Sequence, residues 1–184
     1  MKRILFFGDS LTAGYGLRNA NEQSFPALIR HNIEREGLNY QVINAGISGD
    51  TTQSGLQRLG KYLSEPIDVF VLALGANDMI RGYSPATTLQ NLRKIVQQVQ
   101  MRYPSAKLVL LGMQLPEWIP GQRAKEFREL YRTLADEFRM SFLPFLLDGV
   151  AGITHLNMPD RIHPLAEGYQ VIAGKVWPLI RQLL

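Results

Sequence analysis

Four apolar runs recur along this chain with longer amphipathic segments between them, and several of them are nearly unbroken Val, Leu, Ile and Phe. They span residues 4–7, 40–44, 69–74 and 107–111, with a weaker fifth at 141–143 that stops at Pro144. A strand with one face in water alternates apolar and polar residues. A near-continuous apolar run needs cover on both faces, which is the situation of a strand in a parallel sheet between helix layers. The intervening segments have helical spacing. Ser84-Pro85 reads as an N-cap followed by proline at the first helical position. Leu89, Leu92, Ile95, Val96 and Val99 then recur every three or four residues. Segments 24–36, 122–139 and 165–184 carry the same pattern. The alternation predicts a three-layer α/β sandwich of the flavodoxin-like class. With 184 residues and no repeat, linker or low-complexity tract, residues 1–184 form a single domain.

In an open sheet of this kind, ligands bind where the carboxyl ends of the strands meet the loops. Those loops are 8–16, 45–51, 75–82 and 112–120, and each has glycine at or near the strand end, where the chain turns sharply or approaches a ligand.

Composition removes several classes of chemistry. There is no cysteine, so disulfides, zinc–thiolate sites and cysteine nucleophiles are excluded. No Walker lysine follows 8–16 and no histidine pair has metal-ligand spacing, so neither a metal nor an organic cofactor is expected. The net charge is +4, but the densest basic stretch, 123–132, is interleaved with Glu126 and Glu129. That mixture reads as a solvated helix face, and no nucleic-acid partner is expected. The apolar run near the N-terminus is only four residues long, shorter than the roughly 7–15 residues of a signal peptide. No segment reads as a membrane span, so no stable membrane insertion is expected. As it stands the chain is expected to be cytoplasmic, or periplasmic if an export signal has been removed from it.

Two segments carry groups for nucleophilic catalysis. Gly8-Asp9-Ser10-Leu11 places a serine just past the first strand, and Asp160-Arg161-Ile162-His163 places a carboxylate three residues before a histidine. A serine hydroxyl needs a base, and histidine, with an ordinary pKa near 6.5, is suited to the task. Of the three histidines, His31 lies within a predicted helix and His155 in a loop with no acidic neighbour at useful spacing. Within one tight turn, Asp160 can hold one ring nitrogen of His163 while the other faces a serine; the same turn can also be purely structural. Ser48, in Gly46-Ile47-Ser48-Gly49-Asp50, rivals Ser10, and neither sits in a Gly-x-Ser-x-Gly elbow. Candidate donors for an oxyanion are the Ser10 N–H, the Gly46 N–H and the Asn77 amide. Asp9 is expected to cap the helix that follows it, and to border the substrate site.

Taken in order, Gly8-Asp9-Ser10-Leu11, Gly46, Gly75-Ala76-Asn77-Asp78 and Asp160-x-x-His163 resemble the four sequence blocks of the SGNH (GDSL) hydrolase superfamily. Asn44 to Thr51, Arg81-Gly82, Leu115-Pro116 and Pro144-Phe145-Leu146 are similar to its bacterial multifunctional acyl-CoA thioesterase, lysophospholipase and arylesterase branch. The resemblance implies a five-stranded parallel sheet, Ser10 as nucleophile, His163 as general base, Asp160 as its partner, and an oxyanion hole of Ser10, Gly46 and Asn77. It favours Ser10 over Ser48. It also implies hydrolysis of esters and thioesters such as aryl esters, acyl-CoA or lysophospholipids.

The loop after the fourth strand, 112–120, contains Leu115, Pro116, Trp118 and Ile119 and is expected to wall a pocket for a hydrophobic acyl or aryl group, with Met79, Ile80 and residues 22–25. Two alternatives stand beside this. One is an acetyl esterase acting on carbohydrate or platelet-activating-factor-type substrates, which would call for a more polar pocket. The other is a flavodoxin-like nucleotide-binding module, in which Asp9 would repel the phosphate and the Asp160/His163 pair would have no role.

Overall fold

The computed structural model describes all residues except 114, 116, 118 and 119. Strands β1 (Lys2–Gly8), β2 (Tyr40–Gly46), β3 (Val69–Ala73), β4 (Lys107–Leu111) and β5 (Ser141–Leu143) form one sheet in the order β2-β1-β3-β4-β5, every pair parallel. The helices are α1 (Ser10–Ala13), α2 (Ala20–Gln23), α3 (Phe25–Arg35), α4 (Thr52–Arg58), α5 (Ala76–Ile80), α6 (Pro85–Arg102), α7 (Gln122–Phe138) and α8 (Ala166–Arg181).

The apolar runs of β1, β3 and β4 are buried on both faces because the pleat sends alternate side chains into two cores, while the edge strands β2 and β5 are only partly buried. Ile4 and Phe6 of β1 join α3 and α8 through Phe25, Ile29, Tyr169 and Ile172. Leu5 and Phe7 join α6 and α7 through Leu92, Ile95, Phe127 and Leu134 on the opposite face. All four β1 residues are 1% exposed or less, and fully burying each such side chain contributes roughly 1.5–3 kcal/mol. That fixes β1 as an interior strand of the sheet, between β2 and β3.

Four expected helices are present with ends within a few residues of the periodic segments. Ser84 caps α6, its Oγ accepting the Thr87 N–H at 3.0 Å. The short helices α1, α2, α4 and α5 carry too few turns to show a period. The cap of α4 is a reciprocal pair: Ser54 Oγ accepts the Thr51 N–H at 2.8 Å and Thr51 Oγ1 accepts the Ser54 N–H at 3.3 Å.

The order β2-β1-β3-β4-β5 reverses direction at β1. The chain steps one way to β2 and the other way to β3, so the loops after β1 and β3 diverge to opposite faces and leave a crevice between them. Ser10 follows β1 and Asn77 follows β3, so both border that crevice.

Candidate active site

β1 ends at Gly8, and the chain turns into α1 with Asp9 as its cap. Asp9 Oδ1 accepts the Leu11 N–H at 3.0 Å. Among the described residues the Ser10 N–H has no acceptor. The Ser10 hydroxyl is held from the far end of the chain: His163 Nε2 lies 3.0 Å from Ser10 Oγ, and His163 Nδ1 lies 2.7 Å from Asp160 Oδ2. The second oxygen of Asp160 accepts the backbone N–H groups of Ile162 (2.9 Å) and His163 (3.0 Å). The Asp-x-x-His spacing therefore closes a turn that an Asp side chain stabilises by itself. Two backbone hydrogen bonds pin this loop, Met158 N–H to His163 O and Leu165 N–H to Leu156 O, each 2.8 Å. The ring of Tyr15 lies on the His163 imidazole, with centroids 4.6 Å apart.

The electrostatics set the direction of the relay. The hydrogen bond from the His163 ring, with the two backbone N–H groups, holds the Asp160 carboxyl down at about 2. Asp160 is thus ionised at any working pH and can only accept. In the neutral ring the proton sits on Nδ1, leaving Nε2 to accept from Ser10 Oγ–H. Asp9 shows the opposite effect. It is 3% exposed, and burial pushes its carboxyl up to about 6, against the helix N–H and the nearby His163, which favour its charge.

Two of the three expected donors keep an unspent hydrogen. Asn77 Nδ2 gives one hydrogen to Asp50 O at 2.9 Å, which fixes the amide and leaves its other hydrogen unspent. Gly46 departs from expectation. Its N–H is spent on Asn44 Oδ1 at 3.0 Å, and Asn44 is itself anchored to Thr12 O at 2.8 Å. A Cβ on Gly46 would stand 2.2 Å from Ala13 N, so this glycine is required because β2 packs directly on the α1 backbone. Three residues on, Gly49 sits in the 47–50 turn at a φ of 83°, and its N–H has no acceptor among the described residues. The turn is closed by Asp50 N–H to Ile47 O at 3.2 Å. The Ser48-Gly49 dipeptide is a turn signal in the sequence, but strand-end position points to Gly46 instead.

Buried polar groups that the sequence did not single out hold the donor loops together. Asp78 is fully buried and accepts from the Thr52 N–H at 2.8 Å, from the Thr52 hydroxyl and from Thr88 Oγ1, tying α5 to the start of α4. Arg58 pairs with Asp50, donates to Gly8 O at 3.0 Å and stacks on Phe7 with its guanidinium 4.0 Å from the ring centre. It links the end of β1 to the 47–50 turn.

A cavity of about 440 Å³ opens beside Ser10, Asn77 and His163. Its apolar wall includes Met79, Ile80, Met113, Leu115, Phe145 and Leu147, and Asp9 contributes to its floor. Met79 and Leu115 border this cavity; Pro116, Trp118 and Ile119 lie outside the described residues. Residues 22–25 do not border the cavity. Phe25 is fully buried against Phe6, and Glu22 pairs with Arg30 and His31. Sequence proximity to a catalytic loop did not reveal that the α2–α3 corner turns into the core. Phe145 and Leu147 were missed because they follow β5, whose loop shows no periodic signal. Ser48 is exposed in its turn and His155 is exposed outside the cavity. Among the described residues no cluster of three or more His, Asp or Glu is placed to hold a metal ion, and no helix is long and apolar enough to cross a membrane.

Comparison with known proteins bears on the fold and the family. Esterase TesA of Pseudomonas aeruginosa is 37% identical over 182 residues, covering 98% of this chain and 89% of that protein. Thioesterase 1/protease 1/lysophospholipase L1 of Escherichia coli K12 is 36% identical over 171 residues, covering 92% of this chain and 79% of that protein. A crystal structure of TesA superposes with a TM-score of 0.91 at 36% identity and full coverage of both chains. The family model of GDSL-like lipases and acylhydrolases matches residues 6–171, a span that runs from the middle of β1 to beyond His163. A serine at the end of the first strand, a histidine and carboxylate from the last loop and a matching sequence over that span have one common explanation: this chain belongs to the GDSL-like lipase/acylhydrolase family.

Proposed function

We propose that the protein hydrolyses carboxylic esters and thioesters bearing a hydrophobic acyl or aryl group, through an acyl-enzyme on Ser10. The observation that carries this reading is the unbroken relay Asp160–His163–Ser10, at 2.7 and 3.0 Å, beside an apolar cavity. His163 Nε2 takes the Ser10 proton as Oγ attacks the carbonyl carbon, and Asp160 stabilises the imidazolium that results. The developing oxyanion is met by three unspent donors: the Ser10 N–H, the Asn77 amide and, in place of Gly46, the Gly49 N–H. Asn77 bonds to Asp50 O, adjoining Gly49, which brings the last two together. His163 then protonates the leaving oxygen or sulfur. Water enters by the reverse roles and frees the acid. The related esterase TesA and thioesterase 1/lysophospholipase L1 carry activities of this kind in their names.

The test is turnover of p-nitrophenyl esters of increasing chain length, together with an acyl-CoA and a lysophospholipid, by the wild type and by Ser10→Ala. The expected result is activity that rises beyond acetyl for the wild type and none for the variant, with the fold unchanged by circular dichroism. Full activity in Ser10→Ala refutes the nucleophile. A strict preference for acetyl refutes the acyl pocket in favour of an acetyl esterase.

A further inference from the structure

A second and larger cavity, about 650 Å³, lies on the other side of the loop that carries His163. Its walls include Gly152, Ile153, Thr154, Asn157, Met158 and Arg161, and no carboxylate is among its lining residues. Arg161 lines both cavities. It sits between the catalytic Asp160 and His163, and its φ of 60° is in the left-handed region that side chains with a Cβ avoid. Arg161 is exposed, and among the described residues its guanidinium makes no hydrogen bond or ion pair, so it is free to meet a ligand.

An ester has two halves, and the site separates them. His163 must reach the leaving atom to protonate it, so the leaving half lies on the His163 side of the carbonyl. The acyl half has the apolar cavity. The half beyond His163 meets Arg161 and the second cavity, whose walls include Thr154 and carry no negative charge. An unpaired guanidinium there is suited to bidentate contact with a phosphate.

We propose that Arg161 and the cavity beside it form the leaving-group subsite, selecting substrates whose alcohol or thiol half carries a phosphate. This rests on the hydrolase reading above. Two sources share the chemistry: the glycerophosphate head of a lysophospholipid and the phosphorylated carrier of an acyl-CoA.

Two matched pairs test it. Octanoylglycerol phosphate is compared with octanoylglycerol, and octanoyl-CoA with the octanoyl thioester of N-acetylcysteamine. The readout is the ratio of kcat/KM, charged over neutral, for wild type, Arg161→Asn and Arg161→Lys. Asparagine tolerates the left-handed backbone and removes the charge; lysine keeps the charge. The ratio is expected to fall about 10-fold in Arg161→Asn, as for loss of one hydrogen bond to a charged group, and to fall less in Arg161→Lys, which keeps the charge but not the two-pronged contact. It is also expected to decline for the wild type with added salt. A fall confined to one pair supports the subsite and names its source. Unchanged ratios in both pairs, or an equal loss on the neutral partners, overturn it. If the wild type turned over none of the four, the hydrolase reading would fail. Binding of octanoylglycerol phosphate to Ser10→Ala, with and without Arg161→Asn, still decides the subsite: about 10-fold weaker binding in the double variant supports it, and equal binding overturns it.

Discussion

Asp9→Asn tests the electrostatic account of the catalytic turn. The Asp9 carboxyl is 3% exposed, and burial moves it from an ordinary 3.8 to about 6. Between those two pH values the folded state holds a proton that the unfolded state has lost. Stability therefore falls as pH rises through that window and stays at the lower level above it. A shift of about two units at 1.36 kcal/mol each gives a cost of about 3 kcal/mol for keeping Asp9 charged above pH 6. Asparagine has no charge to bury and can still accept the Leu11 N–H as a helix cap. Urea unfolding of wild type and variant, at steps from above pH 6 down to 3.8, gives a stability difference in which all other titrating groups cancel. That difference, variant minus wild type, is expected to grow by about 3 kcal/mol from the acid end of the window to the neutral end, with the urea slope unchanged. A difference that is flat, or that shrinks as pH rises, would refute the claim that Asp9 is a charge held against its burial. The same charge attracts the imidazolium that forms when Ser10 is deprotonated, so the stabilised variant is expected to lose kcat.

Other substitutions divide catalysis from architecture. Asp160→Asn should leave the loop folded but lower kcat on the order of 10⁴-fold, because an amide no longer holds the ring proton on Nδ1; single-turnover acylation rates check this. Asn77→Ala should cost on the order of 10²–10³ in kcat with little change in KM, as for removal of one oxyanion donor. Gly46→Ala forces a Cβ to 2.2 Å from Ala13 N, so it is expected to lower Tm as well as activity. A Gly46→Ala protein with wild-type Tm and reduced kcat would return Gly46 to the oxyanion hole.

The near-continuous apolar runs were enough to predict a parallel sheet under two helix layers. A strand buried on both faces has no polar positions to spare, and that shows in the sequence. Asp160-x-x-His163 was legible for a similar reason, since the geometry it makes is local: one carboxylate closes one turn and reaches one ring. Choosing Ser10 over Ser48 needed the family resemblance, because both serines follow strands. The structure brings His163 to 3.0 Å from Ser10 across 153 positions of sequence.

What the sequence could not settle was which polar groups were free. Gly46 stands at a strand end, where a donor is expected. The side chain of Asn44, anchored on Thr12 O 32 residues away, consumes its N–H. Gly49 sits in a turn with no such neighbour, and its N–H stays open. The same holds for the walls of the cavity, where Phe145 and Leu147 arrive from β5 while Phe25, closer in sequence to Ser10, goes into the core. Strand, helix and catalytic turn follow from short-range patterns of burial and hydrogen bonding that the residues carry with them. Which donors stay unspent, which residues wall the cavity beside Ser10 and where Arg161 lies relative to it depend on which distant groups meet, and only tertiary packing decides that.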